Sequence, residues 1–150
     1  MEQQQRIAIG SDHAGFALKE AVRRHLENLG HQVEDFGAYS EESVDYPSIA
    51  MAVGTALKQR QAHWGVLVCG SGIGMSIVAN KMSGIRAALC YEPELAAMAR
   101  KHNDANVLVL AGRYTAPDKA QEIVDVFFQT PFEGGRHQRR VDLIHTLTHR

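Results

Sequence analysis

The sequence has little of what marks several specialised classes of protein. It has two cysteines, Cys69 and Cys90, which are too few and too far apart for a disulfide framework or a zinc ribbon. Neither charge dominates, since 16 Lys or Arg face 17 Asp or Glu, and this balance argues against a dedicated nucleic-acid binder. No apolar run approaches the ~20 residues that span a bilayer. We therefore expect neither a nucleic-acid partner nor a membrane.

The length and the N-terminus narrow the prediction further. A chain of 150 residues with 45% hydrophobic residues is expected to form one domain over residues 1–150. The first ten residues, MEQQQRIAIG, contain no apolar segment of secretory length, so export is not expected. With free thiols, a reducing cytoplasm is the predicted compartment.

Short apolar runs alternate with segments of helical periodicity along the whole chain. The predicted strands are Arg6–Gly10, His31–Phe36, Trp64–Val68, Ile85–Cys90 and Val107–Ala111. The segments between them, and the one after Gly135, have helical spacing. This alternation predicts a three-layer α/β/α sandwich with a Rossmann-like, five-stranded parallel sheet and a C-terminal helix. The spacing leaves the strand order open.

Polar and reactive side chains follow the predicted strands, where an open parallel sheet binds its ligands. They are Asp12, His13, Asp45, Tyr46, Cys69, Glu92 and Arg113. We expect them to share a pocket at the carboxyl edge of the sheet, although loops are commonly polar without one.

The segment Cys69–Gly74 (CGSGIG) joins a strand to a helix. Its glycines, Gly70, Gly72 and Gly74, allow backbone N–H groups to face an anion at the helix N-terminus. A dinucleotide fingerprint would need glycine where Met75 stands, and the absence of GK[ST] excludes a P-loop. The alternatives that remain are a Rossmann-type cofactor site and a turn with only a structural role.

Each cysteine has a different predicted role. A helix N-terminus stabilises a thiolate, so Cys69 is a candidate base or nucleophile, or else a small buried residue at the strand end. Cys90 lies within an apolar strand and is expected to be simply buried.

Among eight histidines, His13 and His102 are the best functional candidates because each sits beside other polar residues in a predicted loop. By contrast, His25, His31 and His63 are expected to be solvated. Although His145 and His149 are four residues apart, no third ligand accompanies them, so no metal site is predicted.

The predicted topology separates His102 from Cys69 by a full strand length, about 17–20 Å. Either His102 is unrelated to the pocket, or it completes the pocket of a second subunit in a two-fold dimer. Arg136 and Arg140 share one face of the last helix and could bind a phosphate or form a solvated basic tail.

Taken together, these stretches resemble the type B ribose-5-phosphate isomerase family, which also holds galactose- and allose-6-phosphate isomerases. The matching motifs are GSDHAGFALKE, DYP, CGSGIGMSIVANK, GIRAALC, RKHNDANVLVLAGR and FEGGRHQRRV. They occur in the family's order and cover nearly the whole chain. The resemblance implies interconversion of an aldose and a ketose phosphate through a cis-enediolate, without metal or organic cofactor.

The resemblance also implies roles for individual residues. Cys69 would be the base, the amides of Gly70 to Gly74 would hold the enediolate, and Ser71 would pass a proton between substrate oxygens. His102 would open the sugar ring, with Asp12 holding hydroxyls. One branch of the family instead uses a glutamate base a turn further on, but this chain has Cys69 and Met75.

The remaining implied contacts bind the substrate. The phosphate would be held by His13, Arg136 and Arg140 with charge from Arg113, and Tyr46 and Asn103 would line the sugar site. Members of the family are dimers, often paired into tetramers, with active sites at the subunit interface.

Three hypotheses follow. The first is an isomerase of ribose 5-phosphate and ribulose 5-phosphate. The second keeps the chemistry but takes a hexose 6-phosphate such as allose or galactose 6-phosphate. The third is a non-catalytic sugar-phosphate-binding module, which leaves Cys69, His102 and Asp12 without a purpose.

Overall fold

A computed structural model describes residues 3–150 as strands alternating with helices. The strands are β1 (Arg6–Ser11), β2 (Gln32–Asp35), β3 (Trp64–Cys69), β4 (Ala87–Leu89) and β5 (Val107–Ala111). The helices are α1 (Phe16–Asn28), α2 (Tyr46–Lys58), α3 (Ile73–Asn80), α4 (Pro93–Asn103), α5 (Pro117–Gln129) and α6 (Arg136–Thr148). In residues 3–150, no helix combines the length and apolar character needed to cross a membrane.

The five strands form one parallel sheet in the order β2-β1-β3-β5-β4. From β1 the chain first moves to one side, to β2, and then returns to the other side, to β3. The carboxyl ends of β1 and β3 are adjacent because Ser11 pairs with Val68. This reversal of direction leaves a crevice between the two strand ends, the usual ligand position in such sheets.

Both faces of the sheet are covered, which explains the continuous apolar runs of the central strands. Ile9 and Val68 pack with α1 and α5 on one face, whereas Ala8 and Leu67 pack with α2 and α3 on the other. The edge strand β2 alternates between exposed and half-buried residues. The predicted three-layer α/β/α fold is therefore confirmed.

Two predicted elements have different bounds in the structure. β4 is shorter than Ile85–Cys90, since only Ala87–Leu89 pair with β5. α4 continues beyond Arg100 through Asn103, so the prediction that His102 lies in a loop is wrong. Periodicity missed this last turn because its side chains are polar and largely exposed. The helix ends where Asp104 takes a left-handed φ of 48° and binds Arg100 through its carboxylate at 2.9 Å.

The expectation that His31 is solvated is also wrong. Its side chain is buried between β2 and α5, stacks at an angle on Phe128 and accepts a hydrogen bond at Nδ1 from the backbone N–H of Gln5 (3.0 Å). Burial lowers the pKa of His31. The prediction for Cys90 is confirmed, since it lies in the core beneath α4 and is a free thiol.

Candidate active site

The crevice at the ends of β1 and β3 opens into a cavity of about 470 Å³. Its walls come from the loop after β1, the first turn of α2, the glycine turn before α3, and the residue that follows β5. The lining residues are Asp12, His13, Ala14, Tyr46, Cys69, Gly70, Ser71, Ile73, Gly74, Ile77 and Arg113. The structure thus brings together most of the side chains that the strand-end rule selected.

Cys69 is the last residue of β3 and is 5% exposed. Its backbone is fixed by pairing with Ala111 and by accepting a hydrogen bond from the N–H of Gly112 (2.8 Å). The thiol is therefore carried by the rigid centre of the sheet and lines the cavity next to the glycine turn. A nucleophilic or basic group at this position is held in place by the backbone of the sheet.

The glycine turn has a conformation that other residues would not adopt. Gly72 has a φ of 78°, and a Cβ there would lie 2.4 Å from Cδ1 of Leu89 and 3.2 Å from the carbonyl of Leu110. A Cβ on Gly74 would lie 2.6 Å from the ring of Tyr46, so the absent side chain lets this ring rest against α3. Close approach therefore favours glycine at both positions, and at Gly72 the backbone angle favours it as well.

The backbone N–H groups of this turn are free to bind an anion. Within residues 3–150, no acceptor pairs with the N–H groups of Gly70, Ser71 and Gly72. The Ser71 hydroxyl accepts the N–H of Ile73 at 3.2 Å, which leaves the hydroxyl proton available to donate. These donors, at the start of α3, form the kind of cradle that stabilises an oxyanion.

Asp12 and His13 form the opposite wall. Asp12 is buried, and its Oδ1 accepts the backbone N–H of Gly15 at 2.9 Å. Nδ1 of His13 accepts the backbone N–H of Val44 at 3.3 Å, so the neutral ring carries its proton on Nε2. Each side chain therefore uses one polar atom to hold the loop and keeps another for a ligand.

Arg113 follows β5 and lies over the glycine turn. Its backbone N–H donates to the carbonyl of Gly70 at 3.0 Å, and its guanidinium Nη1 lies 3.4 Å from the position of a Cβ on Gly70. The exposed guanidinium adds positive charge at the rim of the cavity. The cavity is accordingly suited to a small polar anion.

Four predicted site residues lie elsewhere: His102, Asn103, Arg136 and Arg140 do not line this cavity. His102 and Asn103 are in the last turn of α4, which leads back to the amino end of β5, and the arginines are exposed on the first turns of α6. We call these four the second group. The sequence predicts that His102 lies about a strand length from Cys69. In the structure His102 lies outside the cavity that Cys69 lines, as predicted.

Contacts among α4, α6 and the segment before α6 connect the second group. The rings of His102 and His137 stack with centroids 4.3 Å apart, and Glu133 lies 3.9 Å from Nε2 of His102 and 3.6 Å from Nε2 of His137. His137 is buried at the start of α6, so α4 and α6 hold the second group as one unit.

Comparison with known proteins identifies the family. The sequence profile described as Ribose/Galactose Isomerase matches residues 7–144. The chain belongs to this isomerase family. It is 44% identical over 145 residues to ribose-5-phosphate isomerase B of Escherichia coli, covering 97% of each protein.

Solved structures of family members have the same fold. A ribose 5-phosphate isomerase from Thermotoga maritima is 54% identical with a TM-score of 0.93, and the match covers 95% of this chain and 98% of that one. Ribose-5-phosphate isomerase B from Mycoplasma genitalium, solved with bound ribulose 5-phosphate, is 40% identical with a TM-score of 0.92 and 96% coverage of both chains.

Three residues outside the cavity lining hold or adjoin its walls, and the sequence analysis did not select them. Lys19 is fully buried and ties α1 to the loop after β2 through Asp35 (2.7 Å) and the carbonyl of Ala38. The hydroxyl of Tyr91 donates to the carbonyl of Ser71 at 2.9 Å and steadies the glycine turn. Ser11 is buried beside the crevice with a hydroxyl that lacks a partner in residues 3–150. Lys19 alone had a signal, as a charge on the apolar face of α1.

Proposed function

We propose that the chain is an aldose–ketose isomerase that interconverts D-ribose 5-phosphate and D-ribulose 5-phosphate. The observation that carries this proposal is the position of Cys69, a cavity-lining thiol next to backbone N–H groups that have no acceptor within residues 3–150. Family membership supports the reaction class, and the relative with bound ribulose 5-phosphate supports the substrate.

In the proposed reaction Cys69 is the base. Its thiolate removes the proton from C2 of the open-chain aldose, the C1 carbonyl becomes an enediolate oxygen, and the same proton returns to C1 to give the ketose. The N–H groups of Gly70 to Gly74 hold the negative oxygen, and each such donor contributes about 3–4 kcal/mol to transition-state stabilisation. The Ser71 hydroxyl moves a proton from the C2 oxygen to the C1 oxygen.

Binding of the sugar phosphate follows from the same geometry. Nε2–H of His13 and the guanidinium of Arg113 offer positive or donor groups to the phosphate. Asp12 accepts from sugar hydroxyls, and Tyr46 lies along the sugar. These residues surround the thiol but include no group placed to open the cyclic form of the sugar.

We propose that a second copy of the chain supplies that group. His102 would assist ring opening in the partner's cavity, and Asn103, Arg136 and Arg140 would arrive with it because α4 and α6 hold the second group together. Beside the cavity, Ile73 and Ile77 of α3 are 53% and 55% exposed, and Met51 of α2 is 48% exposed. Burial of such side chains would favour a homodimer, with a dimer of dimers as a further step.

The experiment that tests the function measures kcat/KM for ribose 5-phosphate and for allose 6-phosphate in the presence of a chelator. We expect a clear preference for ribose 5-phosphate that chelation does not reduce. A preference for the hexose phosphate would keep the chemistry and change the substrate. Absence of turnover of both substrates by folded, reduced protein would contradict the proposed enzymatic function and favour the non-catalytic binding module.

The free thiols suit a reducing compartment, so we assign the enzyme to the cytoplasm.

A further inference from the structure

A cluster outside the cavity contains two imidazoles and a carboxylate. His102 lies at the end of α4, His137 in the first turn of α6, and Glu133 in the segment before α6. One ligand atom from each lies within 4.8 Å of the other two. We call these three residues the His–Glu–His cluster. Nitrogen of neutral histidine and carboxylate oxygen are ligands that Zn²⁺ accepts in three-residue sites with an open fourth position.

The backbone holds this cluster together before any ion binds. The N–H of Glu133 donates to the carbonyl of Lys101 at 3.1 Å, which fixes Glu133 beside the residue that precedes His102. The N–H of His137 donates to the carbonyl of Gly134 at 3.0 Å, and Glu133 and His137 are four residues apart. The three residues of the His–Glu–His cluster could therefore bind an ion without rearrangement of the main chain.

Small side-chain movements would complete the ligand geometry. Tetrahedral zinc with bonds of about 2.0–2.2 Å places its ligand atoms roughly 3.3 Å apart. The carboxylate oxygen now lies 3.6 Å and 3.9 Å from the two imidazole Nε2 atoms. The rings are nearly parallel, with an interplanar angle of 13°, so one ring must turn for both nitrogens to face one ion. His102 is one-third exposed and Glu133 half-exposed, whereas His137 is buried, so the first two can adjust around the third.

We propose that His102, Glu133 and His137 form a site for a divalent transition-metal ion such as Zn²⁺. The ion is not a cofactor of the reaction. Because it would occupy Nε2 of His102, it would withdraw that residue from ring opening, and bound metal would inhibit the isomerase reversibly. This inhibitory consequence rests on the proposed function, whereas metal binding itself does not.

Neighbouring charges limit the affinity. Arg136 and Arg140 lie on the same first turns of α6 as His137, and Lys101 precedes His102. Their positive charge opposes a cation, so the site is expected to bind and release the ion rather than keep it permanently.

Metal binding is tested on the full chain by calorimetry with Zn²⁺ and by the visible spectrum of Co²⁺. We expect one ion per chain and a loss of affinity of about tenfold or more in His137→Gln and in Glu133→Gln. Glu133→Gln changes only a half-exposed side chain, so it tests the site even where His137→Gln does not fold. His149→Gln is the matched control, since it removes an exposed histidine that lies outside the cluster, at the end of α6.

Two binding results would overturn the site: an unchanged affinity in Glu133→Gln, or a loss of binding in His149→Gln.

Inhibition is measured in a separate experiment. We expect Zn²⁺ to lower ribose 5-phosphate turnover in the wild-type protein, a chelator to restore it, and Glu133→Gln to need about tenfold more Zn²⁺. Binding without inhibition would refute the inhibitory role. A chelated wild-type protein without turnover would refute the proposed function and leave the binding result standing.

Discussion

Cys69 and Cys90 are both buried thiols, but their surroundings differ at the scale of single residues. Cys69 ends a central strand and lines the cavity beside N–H groups that no acceptor pairs with in the described part of the chain. Cys90 is enclosed by apolar side chains, and burial raises the pKa of its thiol to about 11. Because both thiols are buried, what distinguishes the candidate base from the inert thiol is its place in the cavity, next to a helix N-terminus.

Replacing Cys69 by alanine tests the assigned base. We expect kcat for ribose 5-phosphate to fall by about 10²–10⁴-fold, the usual contribution of a positioned general base. Cys90→Ala is the control and should keep the wild-type kcat, because its side chain does not reach the cavity. If Cys69→Ala retains more than about a tenth of the activity, another group removes the proton.

The buried His31 makes folding stability depend on pH. Its folded-state pKa is lowered from 6.5 by burial, so below pH 6.5 the unfolded chain binds more protons than the folded chain. Its contribution is complete above 6.5 and is lost as the pH falls towards the lowered value.

We expect His31→Gln to flatten the curve of unfolding free energy against pH below pH 6.5, as urea titrations at successive pH values would measure. Parallel curves for wild-type protein and His31→Gln would contradict the assignment.

At the scale of elements, the turn between β3 and α3 depends on one glycine. Gly72→Ala would place a non-glycine residue at a φ of 78° and bring its Cβ to 3.2 Å from the carbonyl of Leu110. Gly84 is a matched control, because its φ is 77° and a Cβ there meets nothing within 4 Å. Both variants bear a strain of roughly 1–2 kcal/mol, and only Gly72→Ala adds crowding of about 1–3 kcal/mol.

Urea unfolding should therefore show a larger loss of stability in Gly72→Ala than in Gly84→Ala. The activity of Gly72→Ala should also fall, since in the proposed reaction a displaced turn would no longer aim its N–H groups at the substrate. Equal losses of stability in the two variants would show that crowding against β5 is not what requires glycine.

Elements with a continuous pattern were predictable from the sequence. The central strands β1, β3 and β5 are apolar along their length because both faces are covered, and their bounds agree closely with prediction. The sequence also allowed us to predict that three residues lie in one pocket, because ligands bind at the ends of parallel strands: Asp12, His13 and Cys69.

Features that depend on tertiary neighbours were not predictable. The last turn of α4 carries polar side chains, and what stabilises it is an ion pair between Arg100 and Asp104 together with bonds to later residues. Tyr91 reaches Ser71 across twenty positions of sequence, and Lys19 reaches Asp35 across sixteen. No local pattern encodes such partners.

At the scale of the whole molecule, the proposed site is divided between two copies. Mixing Cys69→Ala with His102→Ala under subunit exchange should restore activity, because a hybrid dimer has one cavity with both residues intact. Random pairing makes half of the dimers hybrids, each with one intact site of two, so about a quarter of wild-type activity is expected.

Mixing Cys69→Ala with Asp12→Asn is the control, since both residues line the same cavity of one chain. That mixture should stay inactive, because every cavity keeps one defect. Recovery in the control, or none in the Cys69 and His102 mixture, would contradict the shared site.

The two edges of the sheet are its shortest strands, four residues in β2 and three in β4. An edge this short offers few unpaired N–H and C=O groups on which another chain could extend the sheet. Strand-to-strand aggregation is thereby discouraged, while three apolar side chains of α2 and α3 remain exposed: Met51, Ile73 and Ile77. In the proposed dimer, two copies of the chain would therefore meet through helices rather than through the edges of their sheets.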